Sequence, residues 1–236
     1  MIEWRSFIGA AAAQPGKSAL ILLQAFLPAA MAFLLLASTA VQAQGMSREQ
    51  TLQALADSRA QTRGEAVSRL GDVGIMADTA LLVQALRDVD EEVRDRAEQA
   101  MWRLWARSGN QEVDKLYRTG IQQMSVGDLE ESIATFTRVI KLKPDFAEGW
   151  NKRATLYFLV GDLRKSLADC DEVIKRNPYH FGALSGYAQI YVRLEYYERA
   201  LEYSRRALEV NPNMDGVRRN IERIERLLDQ RRGKTI

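Results

Sequence analysis

Cysteine and histidine are nearly missing from this chain: Cys170 and His180 are the only examples in 236 residues. A single thiol excludes an internal disulfide and a cysteine-built metal cluster. A single imidazole excludes a histidine pair for zinc and leaves little for acid–base chemistry. An excess of either charge is missing too, since 33 basic and 31 acidic side chains leave a net charge of +2. Binding nucleic acid needs clustered, uncompensated cations, so no nucleic-acid partner is expected. Proline is scarce at 5 and glycine modest at 15, which leaves most of the length free to be helix. The scarcity of thiols suits an oxidising compartment.

Charge is also absent between Lys17 and Arg48, and Ala19 to Ala37 is apolar except for Gln24 and Pro28. Arg5 and Lys17 precede this run, and Val41 and Ala43 supply small residues for cleavage after Ala43. That order predicts a secretory signal over residues 1–43. An uncleaved membrane anchor is the alternative, because the run approaches the ~20 apolar residues that span a bilayer. Pro28 and the small-residue tail favour cleavage. Either reading exports the rest of the chain, to a bacterial periplasm if cleaved or facing it from the inner membrane if anchored. Gly16-Lys17-Ser18 has the ending of a phosphate-binding loop, but Ala11 stands where its first glycine is required.

The prolines beyond that segment are Pro144, Pro178 and Pro212, spaced 34 residues apart. Rows of that length align Leu116, Gly120, Gln123, Gly127, Ser132 and Val139 with Trp150, Ala154, Tyr157, Gly161, Ser166 and Val173. A third row follows with Leu184, Ala188, Tyr191, Glu195, Ala200 and Ala207. Gly120, Ala154 and Ala188 allow close helix approach, while Phe136, Trp150, Tyr157 and Tyr191 fill the space between helix pairs. Gly127-Asp128 and Gly161-Asp162 turn the chain, and each proline ends a second helix. Glu195 replaces the turn glycine, so the third turn is expected to be tighter or differently shaped. Asp145 and Glu148 have the spacing of a capping box. The pattern resembles the tetratricopeptide repeat family, with three repeats over 113–212 whose 34-residue rows fall at 113–146, 147–180 and 181–214, the last row running two residues past Pro212. The resemblance implies an all-α fold, a right-handed superhelical α-solenoid of antiparallel helix pairs. Residues 215–231 place Val217, Ile221, Ile224, Leu227 and Leu228 on one face, which reads as a capping helix.

Residues 47–109 repeat at a different offset, 31 residues. Leu55-Ala56-Asp57 matches Leu86-Arg87-Asp88, Arg63 matches Arg94, Ala66 matches Ala97, and Leu70 matches Met101. This resembles short HEAT-like repeats. Ser47 with Gln50 predicts a helix start. Trp102 and Trp105 are expected to pack at the junction near Ser108-Gly109-Asn110.

In tetratricopeptide proteins the first helix of each pair lines a concave face that meets a partner's peptide or helix. Carried onto this sequence, the resemblance implies that face at Tyr117, Ile121, Met124, Asn151, Thr155, Phe158, Ser185, Gln189 and Val192. Asn151 and Gln189 would bond a peptide backbone, and Tyr117 and Phe158 would hold apolar side chains. Some members clamp a C-terminal carboxylate with several cations. Among the corresponding Tyr117, Ile121, Lys152, Gly182 and Gly186 only Lys152 is cationic, so no such clamp is expected. His180, in an inter-repeat turn, reads as a capping or packing residue. Cys170 reads as a small buried residue, and Ser132 and Ser166 as replacements for a packing alanine. The acidic run Asp88, Asp90, Glu91, Glu92 and Asp95 begins a helix and interleaves with Arg94 and Arg96, as solvated helix surfaces do. No triad, metal site or nucleotide loop is found, so neither a cofactor nor catalysis is expected. The expected function is that of a scaffold or adaptor of the bacterial envelope that binds a protein or peptide. The alternatives are a membrane-anchored structural subunit and, less favoured, an enzyme that docks substrate on its repeats.

Overall fold

A computed structural model describes residues 45–233, with side chains through residue 230. The signal or anchor segment, including Arg5, Lys17 and Ala43, lies outside the described residues.

Three prolines and several Asp-led turns divide the chain into helices that pair antiparallel. The first group is α1 (Arg48–Ala54), α2 (Ala60–Val73), a short 3-10 turn (Met76–Asp78), α3 (Thr79–Ala85) and α4 (Glu91–Trp105). Ser47 and Gln50 close the expected capping box on α1. The offset of 31 residues reappears as geometry. Arg63 donates to the carbonyls of Asp57 and Ser58 at 3.0 Å each, and Arg94 donates to those of Asp88 and Val89 at 2.9 and 3.2 Å. Arg63 also grips Asp88 with two bonds of 2.7 Å, tying one unit to the next. Ala66, Ala97, Leu70 and Met101 are all fully buried.

Three helix pairs follow: α5 (Gln111–Ser125) with α6 (Leu129–Leu142), α7 (Ala147–Leu159) with α8 (Leu163–Arg176), and α9 (Phe181–Arg193) with α10 (Tyr197–Val210). A last helix, α11 (Asp215–Gly233), packs on α10. Its Ile224 is buried, and Ile221 and Leu228 pack beside it in the third-pair core. The described residues are therefore an all-helical α-solenoid of antiparallel pairs.

Within a pair, close approach depends on small side chains. Phe136 is fully buried, and a Cβ on Gly120 would lie 2.7 Å from its ring. Ser132 and Ser166 each donate from Oγ across the pair at 2.8 Å, to the carbonyls of Gly120 and Ala154. The turns inside each pair share one design, because Gly127 (φ 87°), Gly161 (φ 84°) and Glu195 (φ 60°) are all left-handed. Their amides and the following ones bond the same carbonyls row by row, for example Asp162 to Tyr157 at 2.8 Å and Tyr196 to Tyr191 at 2.9 Å. The third turn is thus not tighter or differently shaped: hydrogen bonding dictates the backbone, and glutamate accepts a conformation that glycine adopts at lower cost.

The 47–109 half and the third repeat share a core. Phe181 lies in the same buried cluster as Leu82, Val93, Met101 and Trp105, with Val210 and Met214 packed against it. Polar contacts sit at the edge of that cluster. Asn213 donates to the carbonyl of Leu86 at 2.8 Å, Asn211 to Glu98 at 2.8 Å, and Arg87 to the carbonyl of Val210 at 3.3 Å. Trp102 and Trp105 pack against residues much farther along the chain than the Ser108-Gly109-Asn110 junction at which the sequence places them. They meet His180 and Phe181, because folding brings the second and third repeats against α4.

Candidate partner-binding groove

The first helices α5, α7 and α9 carry the nine residues read from sequence as an inner face. The structure divides them into two groups. Phe158, Ser185, Gln189 and Val192 line one open cavity of about 420 Å³, together with Val217, Asn220, Arg223 and Ile224 of the last helix. Asn151, Thr155, Phe158 and Gln189 also line a smaller cavity of about 130 Å³ beside Cys170. Tyr117, Ile121 and Met124 line neither. Met124 packs into the first-repeat core, Ile121 is exposed, and the Tyr117 ring lies against Phe136 and Phe146.

Beneath the inner face is a polar network that the sequence does not announce. Glu148 and His180 are both buried, and His180 Nε2 lies 2.7 Å from Glu148 Oε1. His180 Nδ1 accepts from the Ala183 amide at 3.0 Å, so His180 caps α9. That bond places the imidazole proton on Nε2, which donates to Glu148. Asn151 donates to both carboxylate oxygens at 3.3 and 3.2 Å, and the Tyr117 hydroxyl donates at 3.2 Å. Lys152 Nζ lies 3.4 Å away. The expected capping box of Asp145 and Glu148 does not form: Phe146 is the capping position, and Glu148 turns inward to this set of donors.

Burial opposes ionisation of Glu148, but the hydrogen bond from His180, the Lys152 cation and the Asn151 amide outweigh it. The carboxyl is held at about 2, below its ordinary 4.5. A depressed acid stabilises the fold above its unfolded value, and that contribution is lost as pH falls through the folded one. Melting temperature should therefore drop between about pH 4.5 and 2. A melting series of the wild type against Glu148→Gln checks this, since the variant should show a flatter acid limb. The Tyr117 hydroxyl is pushed up by burial and by the Glu148 charge. Burial raises the Cys170 thiol to about 12, the inert thiol expected of a packing residue.

The 47–109 half covers part of the inner face. Lys152 lies 5.8 Å from the Trp102 ring centre, and a Cβ on Gly182 would be 2.6 Å from Trp102. Lys152 thus serves Glu148 and Trp102. Among the described residues, no group of three or more His, Cys, Asp or Glu is placed to hold a metal ion.

The tetratricopeptide repeat family model matches residues 123–146 and 182–214, parts of the first and third pairs. A TPR repeat-containing protein of Rhizobium etli is 36% identical over 86 residues. The chain carries tetratricopeptide repeats. The Rhizobium match covers 36% of this chain and 42% of that relative, so the chain spans less than half of the relative's length. The Sgt2 TPR domain of Aspergillus fumigatus superposes with a TM-score of 0.50 at 22% identity, covering 52% of this chain and 83% of that domain. The first TPR domain of Spaghetti (RPAP3), solved with an HSP90 peptide, gives 0.49 at 23% identity over 50% of this chain and 94% of that one. The Aspergillus domain shows a shared fold.

Within the tetratricopeptide array, Ser204, Asn220 and Arg223 join the groove although sequence reasoning did not select them. Ser204 carried a usable signal, because it stands in the row position of Phe136. Arg223 and Asn220 carried none, since their contribution depends on how α11 lies along α10.

Proposed function

We propose that this protein is a non-catalytic scaffold or adaptor of the bacterial envelope that holds a peptide or helix of a partner protein on the inner face of its repeats. One observation carries the reading: Phe158 of the second repeat, Ser185, Gln189 and Val192 of the third, and α11 surround one open cavity of about 420 Å³. Clefts of that size with an apolar wall and a few amide groups suit side-chain capture. Stacked helices fix the groove in advance, so little receptor entropy is lost on binding.

Thr155 and Gln189 are exposed and lie outside the Glu148 network. Filling the groove with Thr155→Tyr and Gln189→Tyr should leave helicity and melting unchanged. Recovery of partners from cross-linked envelopes should fall by about tenfold or more. Unchanged recovery would place the partner surface elsewhere.

The envelope setting is supported by Arg5, Lys17, the apolar run 19–37 and the small residues Val41 and Ala43. The length of that run favours a second reading, in which the segment stays as an anchor and the protein is a structural subunit of a membrane complex. The intact mass of the exported protein separates them. Loss of 43 residues is the outcome expected for a periplasmic adaptor.

A further inference from the structure

The 34-residue rows place Phe136, Cys170 and Ser204 at one position of the second helix. In the first repeat Phe136 fills the space between its helices and is fully buried. In the second, Cys170 borders a cavity of about 130 Å³. In the third, Ser204 borders the cavity of about 420 Å³. Free volume thus grows as this side chain shrinks. The ring that the first repeat supplies from its own chain is missing in the third.

Two further observations say what would replace it. Ser204 is 1% exposed, yet among the described residues its hydroxyl has no hydrogen-bond partner. A buried hydroxyl without a partner is costly, and Ser204 is among the residues that line this open cavity. Among the described residues the charged ones around the cavity are Arg193 and Arg223, and none that lines it is a carboxylate. Arg193 is held in place by a 3.0 Å bond to the Phe158 carbonyl and lies 5.5 Å from the Phe158 ring centre.

We propose that this third-repeat pocket takes a tyrosine side chain from an acidic segment of a partner protein. The ring stands between Phe158, Val192 and Ile224, its hydroxyl meets Ser204, and flanking carboxylates face Arg193 and Arg223. This deepens the groove reading given above and rests on it.

The test is fluorescence anisotropy with the detergent-solubilised full chain and four labelled peptides in one Gly-Ser frame. Their centres are Glu-Glu-Tyr-Glu, Glu-Glu-Phe-Glu, Glu-Glu-Ala-Glu and Lys-Lys-Tyr-Lys. The acidic tyrosine peptide should bind tightest, about fivefold or more over phenylalanine and about tenfold or more over the other two. Ser204→Ala should abolish the preference of tyrosine over phenylalanine. Arg223→Glu, on an exposed position, should weaken both acidic aromatic peptides about tenfold. The pair Ala188→Gly with Ser204→Phe transplants Gly120 and Phe136 into the third repeat and should remove binding while helicity is kept.

The proposal is overturned if the basic or alanine peptide binds as well, if the tyrosine preference survives Ser204→Ala, or if no peptide binds. Binding that survives the transplant but is lost in the Thr155→Tyr, Gln189→Tyr variant also overturns the pocket, yet keeps the groove. The groove reading is judged separately by recovery of whole partners.

Discussion

Replacing His180 with alanine is expected to lower the unfolding free energy by about 3 kcal/mol, the cost of taking a hydrogen-bond donor away from a buried carboxylate. The imidazole serves three neighbours. Its Nδ1 caps α9 through Ala183, its Nε2–H donates to Glu148, and its ring stacks on Trp105 at 4.7 Å between centres. Alanine leaves a buried carboxylate with Asn151, Tyr117 and Lys152 but without its closest donor. Urea unfolding followed by circular dichroism measures the loss. Adding Glu148→Gln should restore part of it, because a neutral amide needs less compensation than a carboxylate. A loss below about 1 kcal/mol would mean that water or rearranged donors satisfy Glu148 instead.

Trp105→Ala should cost a similar amount, about 3–5 kcal/mol for emptying a buried tryptophan site. Trp105 is 2% exposed and packs against His180, Phe181 and Trp102. Its location decides where the damage spreads. The cluster that contains it joins Leu82, Val93 and Met101 to Phe181 of the third repeat, so the 47–109 half and the repeats share apolar burial. Hydrogen exchange should show lost protection in α9 as well as in α4. Loss confined to α4 would mean that the shared cluster contributes little to the repeats.

Much of this architecture was legible because it is written in periodic positions. Prolines at one spacing, small residues at Gly120 and Ala154, and turn glycines at Gly127 and Gly161 each dictate a local event, and local events survive without knowledge of the partner surface. The recurring Arg63 and Arg94 showed the same virtue, since each closes its own loop. What remained hidden is non-local. Glu148 looked like a capping residue because its sequence neighbours fit that role, whereas its real partner lies one repeat away at His180. The row alignment did contain a hint: Phe146, His180 and Met214 share a position, and a lone polar residue at an otherwise apolar position needs a buried partner. Trp102 and Trp105 were drawn to the nearest junction in sequence, while the fold carries α4 to a distant one. Glu195 misled through composition, since backbone hydrogen bonds, not residue type, fix that turn.

The inner face shows the same division. Outward positions on α7 and α9 follow from helical spacing, and four of them meet around one cavity. The wall contributed by α11 depends on packing, and the loss of Tyr117 to the Glu148 network depends on a contact between repeats.

Partners should meet the groove between α7, α9 and α11 rather than the outer helices. A photo-reactive phenylalanine analogue placed at Gln189, and separately at exposed Glu202 on α10, tests this in living cells. Adducts with a partner protein from position 189 and none from 202 are the expected result. Adducts from 202 alone would contradict it.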